Sequence, residues 1–109
     1  MSGLLGAVEI REIASRLDLK PTKKLGQNFV VDANTCRRIV KAADVLPEDV
    51  ALEIGPGLGS LTLAILESAK ECVAVEIDSR LATELPHTAS RHGFDSTKLT
   101  VINKDAMEL

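Results

Sequence analysis

The sequence contains no tryptophan or tyrosine, and its two aromatic residues are both phenylalanine. Single-strand RNA binders commonly stack bases on several aromatic side chains, so a stacking platform of that kind is excluded. The two cysteines, Cys36 and Cys72, belong to no Cys-x-x-Cys or Cys/His pattern. Both are predicted to be buried thiols in a reducing cytoplasm, and no metal site is expected. Every apolar run is far shorter than the ~20 residues of a membrane helix, so no membrane span is expected.

Charge of neither sign dominates the chain, whose net charge is −3. The distribution is nevertheless uneven, because residues 1–41 hold eight Lys or Arg against four Asp or Glu. Residues 42–109 hold five Lys or Arg against twelve Asp or Glu. The overall charge therefore gives no sign of nucleic-acid binding, whereas the basic N-terminal third permits a local contact with phosphates.

Two short amphipathic helices are predicted before residue 47. The first ends near Asp18, and the polar, basic segment 20–29 that follows is predicted to be a loop. Asp32 is a suitable N-cap for the second helix. The apolar residues at helical spacing are Ile10, Ile13, Ala14 and Leu17 in the first helix, and Cys36, Ile39, Val40 and Ala43 in the second.

After Pro47 the pattern changes to short strands that alternate with helices. Strands are predicted over Val50–Ile54, 72–77 and Leu99–Ile102. A helix is predicted over Ser60–Ser68, and another begins near Ser79 and is kinked or ended at Glu84 or Leu85 by Pro86. His87 and His92 have no second metal ligand nearby in sequence and are predicted at the surface. The alternation is typical of right-handed βαβ units on a parallel sheet.

Three strands do not complete a doubly wound sheet, which is buried on both faces. The first strand is expected in the middle of a larger sheet, next to a strand that comes later in sequence. The chain is therefore predicted to be the N-terminal part of a longer α/β protein. Its open strand at residues 50–54 is expected to favour self-association.

A glycine cluster follows the first strand, in the string Leu-Glu-Ile-Gly-Pro-Gly-Leu-Gly at residues 52–59. Glycine at a strand-to-helix turn lets the backbone bend sharply and approach a ligand closely. The spacing is G-x-G-x-G with an acid, Glu53, two residues before it, whereas the dinucleotide fingerprint is G-x-G-x-x-G. This variant resembles the first motif of class I S-adenosylmethionine methyltransferases, and tight packing alone is the alternative reason for the glycines.

Acidic residues follow the other two strands. Glu76 comes 17 residues after Gly59, close to the ~20 residues that separate a ribose-binding acid from the glycines of a Rossmann-type fold. Asp78 is predicted to cap the next helix. Asp105 follows the third strand, where a carboxylate suits an adenine amino group and a simple turn residue is the alternative. Because parallel strands end at one edge of the sheet, these features are predicted to share one crevice.

Four segments together closely resemble the bacterial small-subunit ribosomal RNA adenine dimethyltransferases. They are Lys-Leu-Gly-Gln-Asn-Phe-Val-Val-Asp at 24–32, Glu-Ile-Gly-Pro-Gly-Leu-Gly-Ser-Leu-Thr at 53–62, Val-Glu-Ile-Asp at 75–78 and Asp-Ala at 105–106. The resemblance implies the class I methyltransferase Rossmann-like fold and S-adenosylmethionine as cofactor. The cofactor-binding residues that it implies are Gln27, Asn28, Val30, Glu53, Gly55, Gly57, Glu76, Ile77, Asp105 and Ala106, with Phe29 shaping the entrance.

The family's catalytic tetrapeptide, Asn-(Leu/Ile)-Pro-(Tyr/Phe), does not occur in these 109 residues. The resemblance therefore implies a cofactor-covering N-terminal part, 1–47, a βαβαβ cofactor-binding unit, 48–109, and no catalytic residue. The family's C-terminal helical domain is also absent, so the chain is expected to be inactive alone.

The activity implied for the intact enzyme is dimethylation of two adjacent adenosines near the 3′ end of 16S rRNA, on the pre-30S subunit in the cytoplasm. RNA contact is expected at basic residues of the N-terminal third, for which a solvated basic face is the alternative. The basic residues expected to contact RNA are Lys20, Lys23, Lys24, Arg37 and Arg38.

Three other functions are left open, namely a large-subunit rRNA dimethylase, an NAD-type domain and a non-catalytic assembly factor.

Overall fold

Helices and strands alternate strictly from residue 50 onward. The computed structural model describes residues 5–17 and 32–109. The α-helices and strands are α1 (Ala7–Arg16), α2 (Ala33–Ala42), β1 (Val50–Ile54), α3 (Ser60–Ser68), β2 (Glu71–Val75), α4 (Ser79–Arg91) and β3 (Leu99–Ile102), with short 3₁₀ turns at Ser96–Lys98 and Ala106–Glu108. Within the described ranges, no helix has the length and apolar character needed to cross a membrane.

The three strands form a parallel sheet in the order β1-β2-β3, as the βαβ pattern predicts. Glu53 pairs with Ala74, and Ala74 pairs with Val101, so these side chains share one face of the sheet. Core residues from the helices cover that face. On the other face Val50, Leu52 and Ile54 are more than half exposed. Among the described strands β1 has a neighbour on one side only, and self-association through this edge stays a prediction.

The start of α2 confirms the predicted cap, because the Thr35 backbone N–H donates to Asp32 Oδ1 over 2.8 Å. Cys36 and Val40 are buried between α2 and the rest of the core, as predicted. Ile39 was expected on the same apolar face, but its side chain is 46% exposed. The buried stripe of this short helix is narrow, one residue per turn, and Ile39 lies at its margin.

Helix α4 corrects the prediction that the chain kinks or ends its helix at Glu84 or Leu85. The helix continues through Pro86 to Arg91. Leu85 before the proline and Thr88 and Ala89 after it are all buried, so packing stabilises the last turns. Pro86 itself is exposed, and burial of its neighbours offsets the hydrogen bond that a proline nitrogen cannot donate.

Charged side chains connect α1 to α4. Arg16 donates to both carboxylate oxygens of Glu84, over 2.8 and 2.9 Å, and Arg91 also contacts Glu84. His92 Nε2 lies 2.8 Å from Glu9 Oε1. The histidine side chain is 11% exposed, so the prediction of a surface position is wrong for His92 and correct for the exposed His87. This partner is 83 positions away in sequence and only the fold brings it near.

Glu84 is expected to make folding stability depend on pH. The Arg16 guanidinium hydrogen-bonded to it holds the pKa of this buried carboxyl below its ordinary value of 4.5. A lowered folded-state pKa means that the stabilisation is fully present above pH 4.5 and is lost as the pH falls through the folded-state value. Glu84→Gln should therefore lower the Tm at pH 7, and the difference from wild type should shrink in acid.

Thermal melting of both proteins from pH 7 to pH 3 measures this effect. Glu67→Gln is the matched control, because Glu67 also pairs with one arginine, Arg37, through two hydrogen bonds but lies at the surface. Exposed ion pairs contribute little to stability, so this variant should change the Tm only slightly. A Tm difference for Glu84→Gln that is the same at pH 7 and pH 3 would contradict the assignment.

Candidate functional site

The carboxyl ends of the three strands meet at one edge of the sheet, and the loop from Gly55 to Gly59 rises from the first of them. Gly55, Gly57 and Gly59 have φ angles of 70°, 60° and 100°. Residues with a Cβ rarely adopt positive φ angles of this size, which accounts for the presence of three glycines in five residues. The Gly55 N–H donates to the carbonyl of Val75 in β2 over 2.9 Å, and the Gly59 N–H donates to that of Pro56 within the loop over 3.0 Å.

Two of the glycines serve different purposes. Apart from residues 54–56, no atom of the described residues lies within 4 Å of the position that a Cβ at Gly55 would take. A Cβ at Gly59 would lie 2.6 Å from Leu85 Cδ1 of α4. Gly59 therefore allows Leu85 of α4 to pack directly against the start of α3, whereas Gly55 leaves room at the side of the loop where a ligand could approach.

Glu76 follows β2 and joins the glycine loop to the second strand. Its Oε1 accepts from the Gly57 N–H over 3.1 Å, and its Oε2 accepts from the Asp78 N–H over 3.0 Å. The residue is 5% exposed. An ionised carboxylate has about four acceptor positions, so two remain for other donors. The structure thus brings Glu76 and Gly57 together, as the sequence predicted.

Ile77 and Asp78 have separate environments directly after Glu76. Ile77 is 66% exposed, although it directly follows the buried Glu76. Asp78 Oδ1 accepts from the N–H groups of Arg80 and Leu81, which confirms its predicted role as the cap of α4. Asp78 also pairs with the Arg80 guanidinium, which lowers the pKa of its carboxyl.

Asn103 was not singled out from the sequence, yet it holds the ends of β2 and β3 together. Its Nδ2 donates to the carbonyls of Glu76 and Ile77 over 2.9 and 3.2 Å. Its Oδ1 accepts from Ser79 Oγ over 3.0 Å. The available signal was an asparagine directly after a strand, where amides commonly bond to a neighbouring backbone.

Asp105 and Ala106 lie at the end of β3, both partly buried. Asp105 Oδ1 accepts from the Met107 N–H over 2.9 Å and caps the 3₁₀ turn that follows. The turn-residue role considered for Asp105 is therefore present in the structure. Its contact with a ligand stays a prediction.

Glu53 lies beneath the loop, on the helix-covered face of the sheet. Its side chain is buried, and its Oε1 accepts from the hydroxyl of Thr62 over 2.5 Å. Burial raises the pKa of the Glu53 carboxyl, and the hydrogen bond from Thr62 partly opposes this effect. This location differs from those of Glu76 and Ile77, which lie at the open carboxyl edge of the sheet.

Several predicted residues lie outside the described residues or have other partners. Gln27, Asn28 and Val30 fall in the segment 18–31, which is not described, as do Phe29, Lys20, Lys23 and Lys24. The Arg37 guanidinium is bound to Glu67 through two hydrogen bonds of 3.0 Å. Arg38 is exposed on the same helix. Contact of Arg37 and Arg38 with RNA stays a prediction.

Both cysteines are buried and neither forms a disulfide, as predicted. Burial raises the pKa of the Cys72 thiol to about 12, which suits an inert core position. In the two described ranges, no group of three or more His, Cys, Asp or Glu side chains could hold a metal ion.

Comparison with known proteins places this arrangement in a family. The family model described as "Ribosomal RNA adenine dimethylase" matches residues 19–109. The ribosomal RNA small subunit methyltransferase A of Kineococcus radiotolerans is 58% identical over 109 residues, which are 100% of this chain and 36% of that protein. The chain thus spans about a third of the length of the curated relatives that it matches.

Two solved structures define the fold. The 23S rRNA methyltransferase ErmE is 34% identical with a TM-score of 0.63, over 72% of this chain and 31% of that one. An RNA methyltransferase from Salinibacter ruber, solved with S-adenosyl-L-homocysteine, is 22% identical with a TM-score of 0.66, over 72% of this chain and 52% of that one. At 22% identity the likeness concerns the fold alone. The predicted class I methyltransferase Rossmann-like fold is confirmed.

Proposed function

The chain belongs to the ribosomal RNA adenine dimethylase family, and we propose that it binds S-adenosylmethionine at the edge where its three strands end. We propose further that it forms the cofactor-binding part of an enzyme that dimethylates two adjacent adenosines near the 3′ end of 16S rRNA in the pre-30S subunit. The observation that carries the proposal is the hydrogen bond between Gly57 N–H and Glu76 Oε1, 3.1 Å long, which joins the glycine loop to the acid of the second strand.

The residues at this edge fit the cofactor in chemistry and in space. The open side of Gly55 leaves room for the methionine part next to the backbone. Glu76 has acceptor positions left for the two ribose hydroxyls. The exposed Ile77 offers an apolar surface to the adenine ring, and Asp105 with Ala106 lies at the next strand end to bind its amino group. Gln27, Asn28 and Val30 would complete the site.

Bound at this edge by Glu76 and the glycine loop, S-adenosylmethionine would supply an electrophilic methyl group for the N6 amine of the target adenine. The contribution of this chain is to hold that methyl group in one position. Glu76, fixed by two backbone N–H donors, and the ordered glycine loop restrict the cofactor to one orientation. Positioning of this kind is a large part of the catalysis of a transfer between two bound groups.

The small-subunit substrate is favoured over the large-subunit alternative by the relatives. The relative from Kineococcus radiotolerans, named for the small subunit, is 58% identical, compared with 34% for the 23S enzyme ErmE. The exposed Arg38 and the lysines of segment 20–24 are proposed to contact RNA phosphates. Because the proposed substrate is the 16S rRNA of the pre-30S subunit, we propose that methyl transfer takes place in the cytoplasm.

The test is a methyl-transfer assay with radiolabelled S-adenosylmethionine and pre-30S particles, using the whole protein. Label in 16S rRNA, recovered as dimethyladenosine, is the expected result. The 109-residue chain alone should transfer no label, since it has no Asn-(Leu/Ile)-Pro-(Tyr/Phe) tetrapeptide to hold the target amine. Calorimetric titrations with S-adenosylmethionine and with NAD accompany the assay.

Each alternative has its own outcome. Label in 23S rRNA only would favour the large-subunit activity, and heat of binding with NAD only would favour a dinucleotide domain. Cofactor binding by the whole protein without transfer to either RNA would favour a non-catalytic assembly factor. Any of these results would overturn the proposed small-subunit activity.

A further inference from the structure

Glu53 is a charged residue on an otherwise apolar face of the sheet. The register places Ala51 and Glu53 of β1 in line with Cys72 and Ala74 of β2. The corresponding residues of β3 are Leu99 and Val101. Glu53 is 7% exposed there. Burial of a carboxylate costs free energy unless a donor satisfies it, so its presence here calls for a purpose beyond packing.

The donor that satisfies Glu53 lies on the far side of the glycine loop. Thr62 is fully buried in the first turn of α3, three residues after Gly59, and its hydroxyl donates to Glu53 Oε1. Glu53 precedes the loop and Thr62 follows it. The hydrogen bond therefore connects the two ends of a segment whose three glycines have little conformational preference of their own.

Glu76 holds the same loop from the other side, through the Gly57 N–H. That bond involves a carboxylate proposed to bind the ribose, whereas the Glu53–Thr62 bond is buried on the helix-covered face of the sheet. Burial also raises the pKa of the Glu53 carboxyl, which is consistent with a location that solvent does not reach.

We infer that Glu53 and Thr62 are positioning residues, whose hydrogen bond fixes the ends of the Gly55–Gly59 loop so that its backbone holds the shape that binds the cofactor. The inference rests on the proposed function for its ligand, but it concerns the loop itself. It also gives Glu53 a different role from the cofactor contact implied by the family resemblance.

The sharpest test replaces both partners at once, in the double variant Glu53→Leu with Thr62→Val. Replacing both groups of a buried hydrogen bond by apolar groups of similar shape leaves no unpaired polar atom, so the stability should stay close to that of wild type. Amide hydrogen exchange of Gly57, Leu58 and Gly59 in the ligand-free protein measures the loop directly, and calorimetry measures the Kd for S-adenosylmethionine. We expect about tenfold faster exchange of these amides and about tenfold weaker binding.

Thr88→Val is the matched control for the threonine. Thr88 is also a fully buried helical threonine whose hydroxyl accepts a hydrogen bond, from Arg91, but it lies in α4 and away from the loop. Its replacement should leave loop exchange and the Kd within about twofold of wild type. Thr62→Ser, made alone with Glu53 intact, keeps the hydroxyl and should leave both quantities close to their wild-type values.

The inference is overturned if the double variant keeps both the loop exchange rates and the Kd of wild type, or if Thr88→Val changes them as much. If the wild-type protein binds no S-adenosylmethionine, the proposed function fails, and the exchange rates alone still decide whether the bond fixes the loop.

Discussion

Replacing Glu76 by alanine is expected to weaken S-adenosylmethionine binding roughly a hundredfold, about 3 kcal/mol, in a protein that still folds. Each ribose hydroxyl bound to an ionised carboxylate contributes roughly 1.5–3 kcal/mol, and the variant loses both bonds. It also leaves the N–H groups of Gly57 and Asp78 without their present acceptor, so the loop itself becomes less ordered. Calorimetric titration of the whole protein measures the change.

Asp78→Ala is the control, since Asp78 is an acid two residues away with a different purpose. It caps α4 by accepting from the N–H groups of Arg80 and Leu81. Loss of such a cap costs about 1 kcal/mol of folding stability and removes no ligand contact. The Tm of this variant should therefore fall while its affinity for the cofactor changes little. Equal losses of affinity in the two variants would mean that the ribose acid has been wrongly assigned.

The part of the site that the sequence predicted is the part encoded locally. Glycines at 55, 57 and 59 appear between a β-compatible run and a helical one, and only a strand-to-helix turn accommodates that order. Glu76 and Asp105 follow the next two strands, and a parallel sheet brings such strand ends together whatever the details of packing. The caps at Asp32 and Asp78 were predictable for the same reason, because a cap depends on the two or three residues after it.

The features that the sequence did not predict depend on pairs of residues far apart in the chain. Asn103 bonds to the backbone of Glu76, and His92 lies against Glu9, at separations of 27 and 83 residues. The continuation of α4 through Pro86 has the same origin. Local preference ends a helix at proline, but burial of Leu85 and Ala89 against the core stabilises the continued helix. Tertiary packing of this kind is not visible in a local pattern.

Glu53 combines a local sequence pattern with a position that depends on the fold. Its place two residues before the glycines resembles the first motif of class I methyltransferases and predicts a cofactor contact, which stays a prediction. Whether a carboxylate at the end of a strand faces the ligand or the core depends on strand register, and alternation puts Glu53 on the same face as the buried Ala74. Its hydrogen-bond partner Thr62 lies in α3, and the role of this threonine could not be predicted from a helical apolar pattern.

Substitution of Gly59 by alanine is expected to cost about 2–4 kcal/mol of folding stability. Two effects combine at this position. The φ angle of 100° is unfavourable for any residue with a Cβ, and the added Cβ would lie 2.6 Å from Leu85 Cδ1. Leu85 is almost fully buried in α4, so its methyl group has no open space into which it can move. The third glycine of the cluster is thus explained by the packing of Leu85 against the start of α3.

Gly93→Ala separates the two effects. Gly93 has a φ angle of 86°, but apart from residues 92–94 no atom of the described part of the chain lies within 4 Å of its Cβ position, so its replacement introduces backbone strain without a clash there. Urea unfolding should show a loss of about 1–2 kcal/mol for this variant and a larger loss for Gly59→Ala. The clash predicts in addition that Leu85→Ala costs less in the Gly59→Ala background than in wild type, because the smaller side chain makes room for the new methyl group. If Gly59→Ala is no more destabilising than Gly93→Ala, close packing against Leu85 is not the reason for a glycine at position 59.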